Sequence, residues 1–108
     1  MVYSNLHQPL HQPKRVLKMI NSIVKASNNS LSEVAAMILI EVSTKPGISI
    51  VEICEKIEKD YEPYFVKYNT GILQKRSLIV KVDGYKLTYF GQELLERAKS
   101  NFYGENNV

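Results

Sequence analysis

Cysteine, histidine and long apolar runs are nearly absent from this sequence of 108 residues. The single cysteine, Cys54, excludes an internal disulfide and leaves no Cys/His arrangement of the kind that holds zinc. No segment approaches the roughly 18 consecutive apolar residues that a membrane span requires. The N-terminus also lacks the basic segment and apolar core of a secretory signal. We therefore expect a cytoplasmic, metal-free protein that requires no cofactor and contacts no membrane.

Combinations of catalytic residues are missing as well. Both histidines lie near the N-terminus, and no Ser/His/Asp, Cys/His or paired-carboxylate site can be assembled with a sound geometry. Nor is there a glycine-rich phosphate loop. A chain of this length forms one small domain that buries a real core but has little surplus for a deep cleft. The sequence therefore argues against an enzyme.

What the sequence does contain is an uneven distribution of charge around a net charge of +3. Residues 1–31 carry four basic residues and no acidic one, whereas residues 32–60 carry three basic and six acidic residues. Residues 61–87 are basic again, with five basic and two acidic residues. A basic patch on one face fits a polyanionic partner, because neutralising phosphates supplies most of the non-specific affinity for DNA. A merely solubilising surface is the open alternative.

The most informative segment covers residues 73–95, where the pattern changes from helix to strand and back to helix. Short apolar runs at residues 78–80 and 85–87 flank the dipeptide Asp83-Gly84. Asp-Gly between two short strands is a strong hairpin signal, because both central positions of the favoured turn need a positive φ. We therefore predict a two-stranded hairpin with a charged tip, placed between two helices.

Apolar spacing and capping residues predict four helices before the hairpin and one after it. Capping boxes are expected at Ser30 and Glu33 for the second helix and at Ser49 and Glu52 for the third. Cys54 fits the packed face of the third helix rather than a reactive site, because no base or cationic cluster lies beside it. The predicted helices cover about residues 13–25, 34–42, 50–57, 62–76 and, after an N-cap at Thr88, 88–102. The buried stripe of the last helix is expected to be Phe90, Leu94, Leu95, Ala98 and Phe102.

The fourth helix has two contrasting faces on a helical wheel. The face expected to be buried carries Phe65, Val66, Asn69, Ile72 and Leu73. The opposite face carries Tyr64, Lys67, Tyr68, Gly71, Gln74 and Lys75. Gly71 is unusual, because a glycine inside a helix costs roughly 1 kcal/mol relative to alanine. It either permits close approach by something outside the fold, or it merely loosens the helix or relieves a clash with the hairpin, and the sequence leaves these interpretations open.

The two ends of the chain are predicted to lie outside the domain at residues 13–103. Residues 1–12 include two copies of His-Gln-Pro, which begin at His7 and His11, and their prolines favour a flexible, extended arm. Two histidines four residues apart suggest metal only on a helix, and Pro9 between them argues against a helix. Residues 104–108 are expected to form a flexible tail. Whether the arm reaches DNA stays open.

Together these patterns predict a mainly α fold with a small β-hairpin, in the order α-α-α-α-β-β-α of a winged helix-turn-helix. The matching pieces are Pro46-Gly47-Ile48-Ser49, Glu52-Ile53, Leu73-Gln74-Lys75-Arg76-Ser77-Leu78-Ile79, Tyr85-Lys86-Leu87-Thr88 and Gly91-Gln92-Glu93-Leu94-Leu95. Through these pieces the chain resembles the MarR-type winged-helix transcription regulators over residues 39–95. Ser77 stands where that family usually has glycine, and the family's Asp-x-Arg wing motif is missing.

The resemblance implies a recognition helix in the major groove of DNA and a wing along the backbone or minor groove. Lysines and arginines suit phosphates, Lys67 could bond a guanine edge, and Tyr64 and Tyr68 could contact thymine methyls or phosphates. The predicted DNA-binding residues are Ser49, Tyr64, Lys67, Tyr68, Gly71, Lys75, Arg76, Lys81, Asp83, Gly84 and Lys86.

We therefore predict a transcription regulator that binds double-stranded DNA as a homodimeric repressor. Dimerisation is expected through the N- and C-terminal helices, because both are more apolar than a lone small domain needs. The alternative is a winged-helix module that binds another protein and no DNA, since a face with Tyr64, Tyr68 and Gly71 has the composition of an interface core. A small-molecule effector is not expected, although the sequence does not exclude one.

Overall fold

The computed structural model of the chain describes residues 14–57 and 60–106. Its elements are α1 (Lys14–Ala26), α2 (Glu33–Thr44), α3 (Ile50–Ile57), α4 (Pro63–Lys75), β1 (Ile79–Lys81), β2 (Tyr85–Leu87) and α5 (Tyr89–Asn106). This order confirms the predicted mainly helical fold with one antiparallel hairpin. None of the helices in the described ranges is both long and apolar enough to cross a membrane. The two histidines and the N-terminal arm lie outside the described residues.

The centre of the core is α2, whose apolar residues are buried on nearly every side. Val34, Ala35, Ala36, Met37, Ile38, Leu39 and Val42 are all at most 7% exposed. The other four helices and the hairpin contribute to the same hydrophobic cluster. The dense apolar run predicted at residues 34–42 is therefore a buried helix, because a helix that is apolar all round must be covered all round.

The cap of α2 differs from the prediction, because Ser32 rather than Ser30 begins the helix. The Ser32 hydroxyl accepts a hydrogen bond from the Ala35 amide at 3.1 Å and donates one to Asn69 Oδ1 at 2.8 Å. Ser30 belongs to the preceding turn, where its hydroxyl donates to the Ser27 carbonyl. Leu31 between them is buried, so the chain enters the core before the helix begins.

α1 and α5 pack on each other within one chain, and this removes the reason for expecting them to form a dimer. Ile20 and Ile23 of α1 and Leu94, Leu95 and Ala98 of α5 are buried in the same cluster. The apolar stripes of the two helices therefore cover each other. No second copy is needed to cover them.

The start of α5 follows the predicted cap, but its buried stripe is shorter than predicted. The Thr88 hydroxyl accepts a hydrogen bond from the Gly91 amide at 3.1 Å, as an N-cap should. Phe90, expected in the core, is 60% exposed. The helix also continues to Asn106, so residues 104–106, expected in a tail, are helical. The side chain of Phe102 lies outside the described set.

The third helix confirms its predicted capping box. The Ser49 hydroxyl accepts a hydrogen bond from the Glu52 amide at 3.1 Å, and the Glu52 carboxylate accepts one from the Ser49 amide at 3.1 Å. Lys45 also forms an ion pair with Glu52. The Lys45 ammonium and the hydrogen bond from the Ser49 amide lower the pKa of the Glu52 carboxylate. Cys54 is buried on the packed face of α3, as predicted for a core thiol.

The hairpin has the predicted tip, with a loop that is one residue longer than the predicted turn. β1 begins at Ile79 rather than at residue 78, and Lys81 pairs with Tyr85. Asp83 and Gly84 both have positive φ angles, +54° and +92°, as the Asp-Gly signal requires. Ile48 extends the hairpin by a bridge to Tyr85. Together these contacts seat the tip of the hairpin against the segment between α2 and α3.

Candidate functional site

The outer face of α4, which we define as Tyr64, Lys67, Tyr68, Gly71 and Lys75, points away from the core. Its residues recur at intervals of three and four, so they lie on one side of the helix. Tyr64 is 71% exposed and Tyr68 is 63% exposed, although tyrosine rings usually bury most of their surface. All five residues are exposed. The division between the two faces of the fourth helix is therefore confirmed for this side.

On the inner side of α4 the prediction needs three corrections. Val66, Asn69 and Leu73 are buried as expected. Phe65 is 37% exposed, Ile72 is only half-buried, and Thr70 takes a buried place instead. The Thr70 hydroxyl can be buried because it donates to the Val66 carbonyl at 2.9 Å. The short polar side chain thereby satisfies its hydroxyl within the helix.

Phe65 extends the aromatic surface at the start of α4. Its ring lies 6.0 Å from the ring of Tyr61 and 6.2 Å from that of Tyr64, measured between centroids. Tyr61 is partly buried, and this burial together with the nearby carboxylates of Glu33 and Asp60 raises the pKa of its hydroxyl. Tyr61, Tyr64 and Phe65 thus form a cluster of aromatic rings around the start of the helix.

The middle of α4 bears a shallow groove, which we call the α4 groove. It is lined by Lys67, Tyr68, Gly71, Ile72, Gln74 and Lys75. A Cβ built on Gly71 would meet no atom within 4 Å. Gly71 therefore relieves no clash with the hairpin, which removes that interpretation of this glycine. Two interpretations remain: Gly71 merely loosens the helix, or it leaves room for something outside the fold.

Several residues of the predicted DNA-binding set are used by the fold itself. Ser49 is occupied as the cap of α3. A Cβ on Gly84 would lie 2.0 Å from the Gly47 carbonyl oxygen, so this glycine is required for the contact between the hairpin tip and the α2–α3 connection. Asp83 precedes it in the left-handed conformation, which Asn and Asp tolerate better than most residues. Contacts within the fold therefore explain these three residues without a bound ligand.

The basic residues of that set are divided between internal contacts and free surface. Arg76 ends α4, and its guanidinium donates to the Ser30 carbonyl at 2.8 Å, which holds the α1–α2 connection against the end of α4. The Lys81 ammonium lies 5.7 Å from the centre of the Tyr85 ring. Lys86 is exposed on β2. The structure therefore does not gather all the predicted residues into one continuous site.

The start of α5 carries an exposed aromatic pair that the sequence patterns did not predict. Tyr89 is 70% exposed and Phe90 is 60% exposed, and their rings meet edge to face at 5.8 Å. The signal was visible in the sequence, since two adjacent aromatic residues on a helix cannot both face the same core. No group of three potential metal ligands occurs among the described residues.

The fold and this surface define the class first: a small winged-helix domain whose fourth helix exposes aromatic side chains. The sequence model of the family described as "Transcription factor MotA, activation domain" matches residues 18–108. The chain belongs to this family. The family is that of a transcription-factor domain and not of an enzyme.

Two solved structures support the assignment. The activation domain of the phage T4 transcription factor MotA is 33% identical over 82% of this chain and 94% of its own, with a TM-score of 0.77. The solution structure of the transcriptional activation domain of the bacteriophage T4 protein MotA is 34% identical over 81% of this chain and 91% of its own, with a TM-score of 0.72.

These findings correct the resemblance to MarR-type repressors. The shared order of helices and hairpin is real, but it belongs to an activation domain of a transcription factor. A role in transcription regulation is supported. Repression and the MarR-type assignment are not supported, because the matched family is described as an activation domain. The skeleton of a winged helix does not by itself indicate which partner it binds.

Proposed function

We propose that this domain activates transcription by docking on a protein of the transcription machinery through the outer face of α4. The observation that carries the proposal is the exposure of Tyr64 and Tyr68 beside the open space at Gly71. Membership of an activation-domain family supports a protein partner, because an activation domain acts on other proteins of transcription.

The chemistry of the outer face suits a protein interface. Tyrosine is enriched at interfaces and among the few residues that carry most of the binding energy. Each ring offers a large apolar area while its hydroxyl can still bond a partner. Tyr64 and Tyr68 are one helical turn apart, so a partner can bury both at once. Phe65 widens the same aromatic surface.

Gly71 adds a place for close approach in the centre of this surface. The missing side chain leaves the backbone of α4 open, and the groove around it has a volume of about 590 Å³. Ile72 is the half-buried apolar residue of the groove, and Lys67 and Lys75 lie along it. A protruding partner side chain or a partner helix can therefore contact the α4 backbone directly.

A reporter assay tests this proposal in cells. The full chain is fused to an unrelated DNA-binding domain whose site lies upstream of a weak bacterial promoter, and reporter output is measured. We expect the wild-type fusion to raise transcription and the Tyr64→Ala/Tyr68→Ala double variant to lose at least about three quarters of that increase, because truncating a central aromatic anchor typically costs 2 kcal/mol or more of binding.

Tyr89→Ala is the matched control, because Tyr89 is as exposed as Tyr64 but lies on α5. It should leave activation nearly unchanged. Equal loss with Tyr89→Ala, or full activation by the double variant at the same protein level, would contradict the assignment of α4 as the docking surface.

Direct contact with duplex DNA is a second candidate, since Lys67, Lys75, Lys81 and Lys86 are all exposed. Fluorescence anisotropy with random duplex DNA across a salt series tests it. Binding through phosphates should weaken steeply with salt and be lost in a Lys67→Ala/Lys75→Ala variant. The absence of binding at low salt would remove DNA from the function of this domain.

A further inference from the structure

A concave site beside the end of α4 combines apolar and cationic groups. We call it the Arg97 socket. It is lined by Leu31, Leu78, Leu94, Phe90, Arg76 and Arg97, together with Glu93 and two serines of the α1–α2 connection. The residues come from three separate parts of the chain. The socket therefore exists only in the folded domain.

The socket has an apolar floor and an exposed aromatic wall. Leu31 and Leu94 are each 4% exposed and so form its floor, while Leu78 is half-buried. Phe90 is 60% exposed, so much of its ring is in contact with water although it also meets the ring of Tyr89. An apolar side chain from a partner would bury this ring and remove apolar surface from water.

Two arginines supply the positive charge of the socket. The Arg76 guanidinium is fixed by its hydrogen bond to the Ser30 carbonyl, so part of the entropic cost of ordering it is already met. Arg97 is exposed on α5, two helical turns after Phe90. Glu93 is the one carboxylate among the described lining residues, and it lies 3.4 Å from the Tyr89 hydroxyl. The lining thus carries two positive charges and one negative charge.

The size of the socket favours one side chain over a small-molecule ligand. Its volume is about 250 Å³, below the roughly 300–1,000 Å³ of typical ligand pockets. Interface anchors are single large side chains that fill pockets of this kind. Arginine is suited to carboxylates beside such an anchor, because its planar fork bonds both oxygens.

We propose that the Arg97 socket is a second docking surface, which binds a peptide segment of a partner protein that carries a large apolar residue next to acidic residues. The apolar side chain occupies the space beside Phe90, and the flanking carboxylates bond Arg76 and Arg97. The proposal is independent of the outer face of α4, because the two surfaces share no residue.

NMR titration of the full chain with a defined peptide tests this proposal. The probe is an eight-residue peptide with Leu-Phe at its centre and three aspartates on either side. We expect it to shift the amide signals of Leu31, Leu78, Phe90 and Leu94 in saturable fashion. A peptide with lysine in place of aspartate, and one with serine in place of Leu-Phe, should not shift them.

Charge variants on α5 give opposite expected effects. Arg97→Glu should weaken the binding of the acidic peptide by about tenfold, because attraction is replaced by repulsion. Glu93→Gln should strengthen the binding of the same peptide by about twofold, because a repulsive charge is removed. Lys99→Glu, with the same change of charge on the same helix but outside the socket, should change the affinity much less than Arg97→Glu.

Three outcomes would overturn the proposal: no saturable shifts, shifts centred on other residues, or equal weakening by Arg97→Glu and Lys99→Glu. A short DNA duplex that shifts the same amides and displaces the peptide would assign the socket to nucleic acid instead. Activation in the reporter assay depends on α4, so either surface can fail without the other.

Discussion

The outer face of α4 and the tip of the hairpin differ most clearly at their glycines. A side chain on Gly71 would enter open space, whereas a side chain on Gly84 would collide with the Gly47 carbonyl. Gly84 also has a φ of +92°, which side chains rarely adopt, whereas Gly71 lies within a regular helix. One glycine is required by the fold. The other costs helix stability and does nothing for internal packing.

This contrast divides a set of residues that a winged-helix resemblance treats as one DNA-binding surface. Ser49, Asp83, Gly84 and Arg76 make turns, caps and contacts inside the domain. The tyrosines and lysines of α4 make no comparable contact within the fold and are exposed. Within this set, the side chains available to a partner are therefore the tyrosines and lysines of α4, together with Lys81 and Lys86 of the hairpin.

The largest expected effect is that of Gly84→Ala. The new Cβ would force apart two backbone segments and occupy a strained φ, so we expect a loss of about 2–5 kcal/mol in the free energy of unfolding. Urea denaturation followed by circular dichroism measures it. A loss below about 0.5 kcal/mol, which is within the usual range for a neutral surface change, would show that the contact with Gly47 is not needed.

Ser32→Ala is expected to cost about 1–2 kcal/mol, because it removes the α2 cap and leaves Asn69 without one of its hydrogen bonds. Ser30→Ala is the matched control and should cost less than about 0.5 kcal/mol, since Ser30 is exposed outside the helix. Thermal unfolding of both variants compares them. The reverse order would restore Ser30 as the cap.

Gly71→Ala should stabilise the domain by up to about 1 kcal/mol, because alanine is the better helix former and its Cβ meets no atom. The same substitution should weaken docking if a partner approaches the backbone there. Denaturation and reporter activity, measured on one variant, separate the two effects. A destabilised Gly71→Ala variant would contradict the open environment of this residue.

The smallest expected effect is in the pH dependence of stability. Because the pKa of Glu52 is lowered in the folded state, its contribution is present above the ordinary carboxylate pKa and is lost as pH falls through the lowered value. Glu52→Gln should therefore flatten the acid side of the stability profile. Glu55→Gln, an exposed neighbour on α3, should leave the profile unchanged. Parallel profiles for wild type and Glu52→Gln would show that the ion pair with Lys45 does not contribute.

Strong local signals made most of the fold predictable. Asp83-Gly84, the Ser49–Glu52 box and Thr88 each fix backbone geometry through their own hydrogen bonds or φ angles. Ser30 and Glu33 match the capping-box pattern, but the folded chain uses the Ser32 hydroxyl as the cap of α2, with Leu31 buried between the two serines. Phe65 and Phe90 were misplaced because a wheel shows which residues share a face, not which face the fold covers.

The kind of partner was less predictable than the fold. A winged-helix skeleton serves DNA and protein partners alike, so its matching segments could not distinguish a repressor from an activation domain. The matched activation-domain family favours the alternative of a protein partner, which the aromatic composition of α4 also suggests. Tyr64 and Tyr68 suit an interface core better than a groove of DNA, where arginine is the commonest base-reading residue and none lies on this face.

The central claim is tested most directly by measuring how the fluorescently labelled chain binds bacterial RNA polymerase holoenzyme. Wild type, the double lysine variant and the double tyrosine variant are compared in parallel. We expect wild type and Lys67→Ala/Lys75→Ala to bind with affinities within about fivefold of each other, because exposed charge pairs contribute little. Tyr64→Ala/Tyr68→Ala should bind at least about thirtyfold more weakly, because buried aromatic anchors dominate interfaces. Undiminished binding by the tyrosine variant, with loss confined to the lysine variant, would contradict a protein-docking role for the outer face of α4.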